Sequence, residues 1–138
     1  MLWIVCVDDK GGMMFGGRRQ SKDRVLREHL LASLGDTPLW MSPYSASQFE
    51  EGTVCADADY VMHMAPADAC FVEDGDFPDV LPDTIILYCW NRRYPADRFF
   101  PFDPLEKDYH LLSSEEFVGS SHDKITVDRY ERKGLHAL

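Results

Sequence analysis

Several familiar signatures are missing from this sequence. Its four cysteines, Cys6, Cys55, Cys70 and Cys89, include no CxxC pair, and none stands at zinc-ligand spacing from a histidine. There is no P-loop, no GxSxG elbow and no HxHxDH string, so nucleotide hydrolysis through a Walker motif, α/β-hydrolase chemistry and zinc-dependent ribonuclease chemistry have no support. No run approaches the roughly 20 apolar residues of a membrane helix. The apolar start Met1–Val7 is short and carries no basic leader, so no signal peptide is expected. Basic residues are scarce, with 14 Lys and Arg against 24 Asp and Glu and a formal charge of −10. Such a field repels phosphate backbones and anionic lipid. Neither nucleic acid nor membrane is expected as a partner, and a reduced cytoplasmic setting is.

What is present reads as one α/β domain spanning residues 1–138. Apolar residues make up 45% of the chain, an ordinary globular proportion. Leu2–Val7 (LWIVCV) and Thr84–Trp90 (TIILYCW) are apolar on both faces, which predicts strands buried in the middle of a sheet. Asp8–Gln20 breaks both periodicities, carries four glycines and predicts a long loop. Ser21 is expected to cap a helix with Asp23 in its first turn, because Val25, Leu26, His29, Leu30 and Leu34 recur at helical spacing up to Gly35. Leu39–Met41 predicts a short strand. Ser42-Pro43 opens a second helix to about Glu50. Thr53–Cys55, Tyr60–Met64 and Ala69–Glu73 read as short strands. Tyr109–Phe117 and Lys124–Glu131 predict an antiparallel hairpin on a sheet edge, a surface that leaves monomer and homodimer both open. Strands alternating with helices early and running together late imply a mixed sheet, with its ligand crevice after the first strand.

Several stretches, in order, resemble dihydrofolate reductase. IVCVDDKGGMMFG resembles that family's first strand and lid loop. SKDRVLREHLL resembles its substrate helix, and LWMSPYSASQF the strand and helix of its cofactor side. ILYCWNRRYPADRFFPFDP resembles its late strand, turn and acidic segment, and HLLSSEEFVGSSHDKITVDRYERK its last two strands. The resemblance implies a three-layer fold, with a mixed central sheet, helices on both faces and a C-terminal hairpin. It also implies a lone catalytic carboxylate near the start of the first helix, and Asp23 stands there. A carboxylate walled off from water has a raised pKa and can relay a proton. Read from the residues alone, without the resemblance, Asp23 rather serves the positive helix terminus.

Departures from the family are concentrated where it holds its cofactor. A Gly-Arg pair followed by Thr is replaced by Ser42-Pro43-Tyr44-Ser45, and only Ser45 keeps a hydroxyl at the matching place. A glycine pair is replaced by Glu73-Asp74-Gly75-Asp76. One like-charge pair at 4 Å costs about 4 kcal/mol near a protein surface. Residues 10–27 nevertheless hold six of the fourteen basic residues. A glycine-flexible loop with adjacent guanidiniums suits phosphate or carboxylate.

The expectation is therefore a dihydrofolate reductase-like protein without the ordinary reaction. It would bind a small anionic metabolite or nucleotide through Gly12, Met13, Arg18, Arg19, Gln20, Ser42 and Ser45. No metal and no cofactor are expected. The alternative is an active NADPH-dependent reductase of a pterin or related heterocycle, with NADP as cofactor and Asp23 as proton relay. Trp3, Trp40 and Trp90 read as core. Met13 and Met14 could cover a flat ligand or plug the crevice mouth. His122, beside Ser120, Ser121 and Asp123, reads as part of a turn.

Overall fold

The structure is a computed structural model describing residues 1–134; the last four residues of the expected domain lie outside the described residues. Strands β1 (Leu2–Val7), β2 (Gly12–Phe15), β3 (Arg18–Arg19), β4 (Leu39–Met41), β5 (Cys55–Ala56), β6 (Ala69–Phe71), β7 (Thr84–Cys89), β8 (Arg98–Phe99), β9 (Tyr109–Phe117) and β10 (Ile125–Arg132) accompany helices α1 (Arg24–Leu34) and α2 (Pro43–Ala46). Seven strands form the main sheet in the order β5-β4-β6-β1-β7-β10-β9. β1 runs parallel to β6 and β7, while β10 is antiparallel to both β7 and β9. From β1 the chain moves toward β4 on one side, and only after β6 does it cross to β7 on the other. The carboxyl end of β1 is thus the point where ligand crevices form in sheets of this kind.

Alternation along the central strands builds two cores. Trp3, Val5 and Val7 of β1 and Ile85 and Leu87 of β7 face one side; Ile4, Ile86 and Tyr88 face the other. α1 covers the second side with Leu26 and Leu30, both essentially inaccessible. The first side is closed by Met13, Met14 and Tyr60, with Phe77, Phe100 and Phe102 packed against them. The third layer is therefore mostly a small three-stranded sheet (β3-β2-β8) with the 3-10 turn at Tyr60–Met62. Trp3 and Trp90 are buried as expected; Trp40 is half-buried and donates from Nε1 to Asp68 at 2.9 Å.

The local expectations need five corrections. The stretch 8–20 is not a loop throughout: Gly16 and Gly17, both at positive φ, turn β2 into β3. The cap of α1 is Asp23 rather than Ser21, because the Asp23 carboxylate accepts the Leu26 N–H at 3.1 Å. α2 stops at Ala46. Its last hydrogen bonds shorten to the i→i+3 kind at Gln48 and Phe49, and the Phe49 ring packs edge-on against Phe71 instead of continuing the helix. Tyr60–Met64 is a 3-10 turn, not a strand, with Tyr60 buried and Met62 exposed. The strands expected at 53–55 and 69–73 occupy Cys55–Ala56 and Ala69–Phe71.

Candidate functional site

Asp8 closes β1 and is itself buried. Its carboxylate accepts N–H groups from Gly12 (2.7 Å), Lys10 (2.8 Å) and Tyr94 (3.3 Å), and the Gln20 amide at 3.0 Å. Burial pushes its pKa upward, but these donors outweigh burial and hold it below the usual carboxylate value. Asp8 is thus the peg that fixes the start of the β2–β3 hairpin, and Gln20 ties the far end of that hairpin to the same peg and to the Pro95 carbonyl. Gly12 lies inside this knot. A Cβ there would sit 2.6 Å from Ala96 Cβ and 2.7 Å from an Asp8 oxygen. Gly12→Ala is expected to destabilise the protein by about 1–3 kcal/mol, read as a lower midpoint of chemical denaturation.

Arg19 is the best-held guanidinium in the molecule. It reaches Glu73 at 3.0 Å, donates to the Tyr44 carbonyl at 2.9 Å and lies 4.3 Å from the centroid of the Tyr44 ring. Glu73 is buried and also accepts from Gln48. The Glu73 carboxylate therefore turns inward and neutralises Arg19. Arg18 stays exposed. Ser42 and Ser45 face each other, with 3.3 Å between their hydroxyls and Ser45 buried. Beside them an open groove of about 510 Å³ is lined by Met14, Gly16, Gly17, Ser42, Tyr44, Asp74, Asp76, Asp97 and Arg98. Three carboxylates against one guanidinium make it acidic. Met13 and Met14 are buried core side chains, and Met14 also lines this groove.

The carboxylate of Asp23 has no exposure. Its neighbours come from its own helix and from the β9–β10 loop 97–99 residues later. Leu26 N (3.1 Å), Ser120 N (3.0 Å), Ser121 N (2.8 Å), both serine hydroxyls (3.2 and 3.1 Å) and His122 Nδ1 (3.1 Å) all converge on it. The backbone of Gly119 lies so close that a Cβ there would collide with the carboxylate. Burial pushes the pKa of Asp23 up, but the surrounding donors push it down further and hold it well below the usual carboxylate range. The sequence-based expectation of a raised pKa is overturned: it counted the wall against water but not the donors built into that wall.

His122 is the residue the sequence undervalued. It is buried, stacked on Trp90 with 4.4 Å between ring centroids, and its Nε2 meets the Tyr94 hydroxyl (3.0 Å) and Ser21 Oγ (3.2 Å). The only sequence signal was a histidine preceded by two serines in a loop joining two strands. Of the expected site residues, Gly12 and Gln20 meet at Asp8, Arg19 is joined to Glu73, Ser42 faces Ser45, and Asp23 is joined to His122. Among the described residues, no group of three or more His, Cys, Asp or Glu side chains could hold a metal ion. Burial pushes the thiols of Cys70 and Cys89 up to about 12, where they are inert. No helix among the described residues is long and apolar enough to cross a membrane.

The mixed sheet, the helix after the β2–β3 hairpin, that hairpin itself and the closing strand pair define a three-layer α/β fold. Its fold is that of dihydrofolate reductase. The dihydrofolate reductase of Enterococcus faecalis, solved in complex with NADP(H) and RAB-propyl, superposes with a TM-score of 0.67 over 96% of this chain and 95% of that one, at 12% sequence identity. No protein-family model matches the sequence, and no curated protein matches it.

Proposed function

We propose that this protein keeps the dihydrofolate reductase fold without catalysing that reaction, and binds a small anionic molecule instead. The observation that carries the first half is the saturated carboxylate of Asp23. A pterin would have to displace the donors of Ser120, Ser121 and His122 and then fit where Gly119 already touches. Each buried donor left unsatisfied costs about 1–3 kcal/mol, so displacing these donors costs on the order of a whole micromolar affinity, roughly 8 kcal/mol. On the cofactor side the groove beside Ser42 and Tyr44 is acidic, and Arg19 is already neutralised by Glu73. Both features oppose an anionic dinucleotide.

The second half rests on Arg27. Its Nη1 is shielded from solvent and has no hydrogen-bond partner among the described residues. Arg27 lines a groove of about 330 Å³ between α1 and residues 48–53, together with Arg24, Glu28, Leu31, Gln48, Phe49, Glu50 and Thr53. Arg24 is engaged with Glu28 at 2.8 Å. A planar carboxylate or phosphate would complete the Arg27 guanidinium, and Leu31 and Phe49 offer apolar surface to the rest of the ligand. This seat is on α1, the helix that follows the Arg18–Arg19 strand.

Two measurements test the reading. Titration with NADPH up to millimolar concentration is expected to produce no energy transfer from tryptophan, and dihydrofolate-dependent NADPH oxidation is expected to be absent. Turnover would restore the alternative of an NADPH-dependent reductase. A thermal-shift screen of anionic metabolites is expected to yield a stabilising ligand, worth about 2.7 kcal/mol at 100 times its Kd. The shift should vanish in Arg27→Met and survive in Arg18→Ala. A shift that survives Arg27→Met overturns the assigned seat.

A further inference from the structure

We infer that Ser21, His122 and Asp23 form a hydroxyl–imidazole–carboxylate relay that makes Ser21 Oγ a nucleophile toward small acyl esters. The geometry is continuous. Asp23 Oδ2 lies 3.1 Å from His122 Nδ1, and His122 Nε2 lies 3.2 Å from Ser21 Oγ. An ionised carboxylate only accepts, so in the neutral ring the proton sits on Nδ1 and the Nε2 lone pair is directed at hydroxyls. Trp90 stacks on the ring at an interplanar angle of 24° and supports its plane. Nucleophile within reach of base, and base oriented by a third group, is the arrangement that activates serine on unrelated folds. The base and the acid are buried, while Ser21 is only half-buried. The three come from the segment before α1, its cap and the β9–β10 loop.

The reaction balances as follows. Ser21 Oγ forms a bond to the ester carbonyl carbon while its proton passes to His122 Nε2. Collapse of the tetrahedral adduct breaks the carbon–alkoxide bond, and the leaving alcohol takes that proton from Nε2. Water then attacks the acyl-serine with His122 as base, releasing the carboxylic acid and restoring the hydroxyl. The imidazolium formed at each addition is stabilised by Asp23, which acts as a positioning residue. Ser21 lines neither of the grooves described above, so the proposed acyl group is one of short chain. The Tyr94 hydroxyl competes for the same Nε2 at 3.0 Å and damps the relay.

The test uses the whole protein with p-nitrophenyl acetate and, separately, a small fluorophosphonate, followed by peptide mass spectrometry. Ser21 is expected to carry the acetyl or phosphonyl group at least tenfold faster than any other serine. Labelling should be lost in Ser21→Ala and fall at least tenfold in His122→Asn, which keeps a donor near the Nδ1 position but has no base at Nε2. Tyr94→Phe is expected to raise the rate severalfold, an outcome a merely structural hydroxyl would not give. For Asp23→Asn the limiting acylation rate should fall while the half-saturating reagent concentration stays the same. Absence of label on Ser21 in the wild-type protein, or a rate unchanged in His122→Asn, overturns the inference, and neither result depends on whether the Asp23 variant folds.

Discussion

Asp23→Asn is expected to destabilise the protein by about 3–5 kcal/mol, the cost of breaking a buried charged network by altering one member. The amide keeps one acceptor oxygen but turns a second set of N–H donors toward Ser121 and His122, which already offer donors themselves. Guanidinium denaturation followed by tryptophan emission measures the loss, because Trp90 stacks on His122 and reports on this network directly. The pH dependence carries the same signature. Asp23 and Asp8 both have folded pKa values held below the usual carboxylate value. Their contribution is therefore complete above an unfolded pKa of about 3.9 and is lost as pH falls further toward the folded values. Stability should be flat from neutrality down to about pH 5 and fall steeply below about pH 4, with a shallower acid limb in Asp23→Asn. An equally steep limb in the variant would show that this carboxylate is not the one protonated on unfolding.

The second large effect is expected at Arg19. Replacing it with Ala leaves the buried Glu73 facing only the Gln48 amide, and the loss should be about 3 kcal/mol, at the lower end for a buried pair because Arg19 is partly exposed. Adding Glu73→Gln in the same chain removes the stranded charge. The double variant should then be more stable than Arg19→Ala alone, and a double-mutant cycle gives the coupling. Strict additivity would mean that the pair contributes nothing beyond its two separate environments.

The frame of this molecule was readable because its central strands have no polar face. LWIVCV and TIILYCW can only be buried on both sides, and α1 shows its apolar positions at helical spacing. The edges were harder. Glycines in 11–17 read as disorder of pattern, yet two of them supply the positive φ angles that make a hairpin. Tyr60–Met64 has the composition of a strand, but one buried tyrosine anchors a 3-10 turn. Of the site, Asp23 was visible from its place at a helix start, whereas its environment was not. Its partners lie almost a hundred residues away, and nothing in Gly-Ser-Ser-His says which carboxylate the loop will enclose. The inward turn of Glu73 was equally hidden, since an acidic run reads as solvated until a guanidinium is brought to it from another strand.

The separation between Asp23 and the loop that encloses it also bears on how the chain reaches its folded state. The opening of the first helix is electrically incomplete until the residues between the last two strands have been synthesised and delivered. Closing a loop that long is entropically expensive and slow. A ribosome-bound segment ending after β7 would hold a helix whose cap is exposed to solvent, so final consolidation of the amino-terminal half waits on the carboxyl-terminal hairpin.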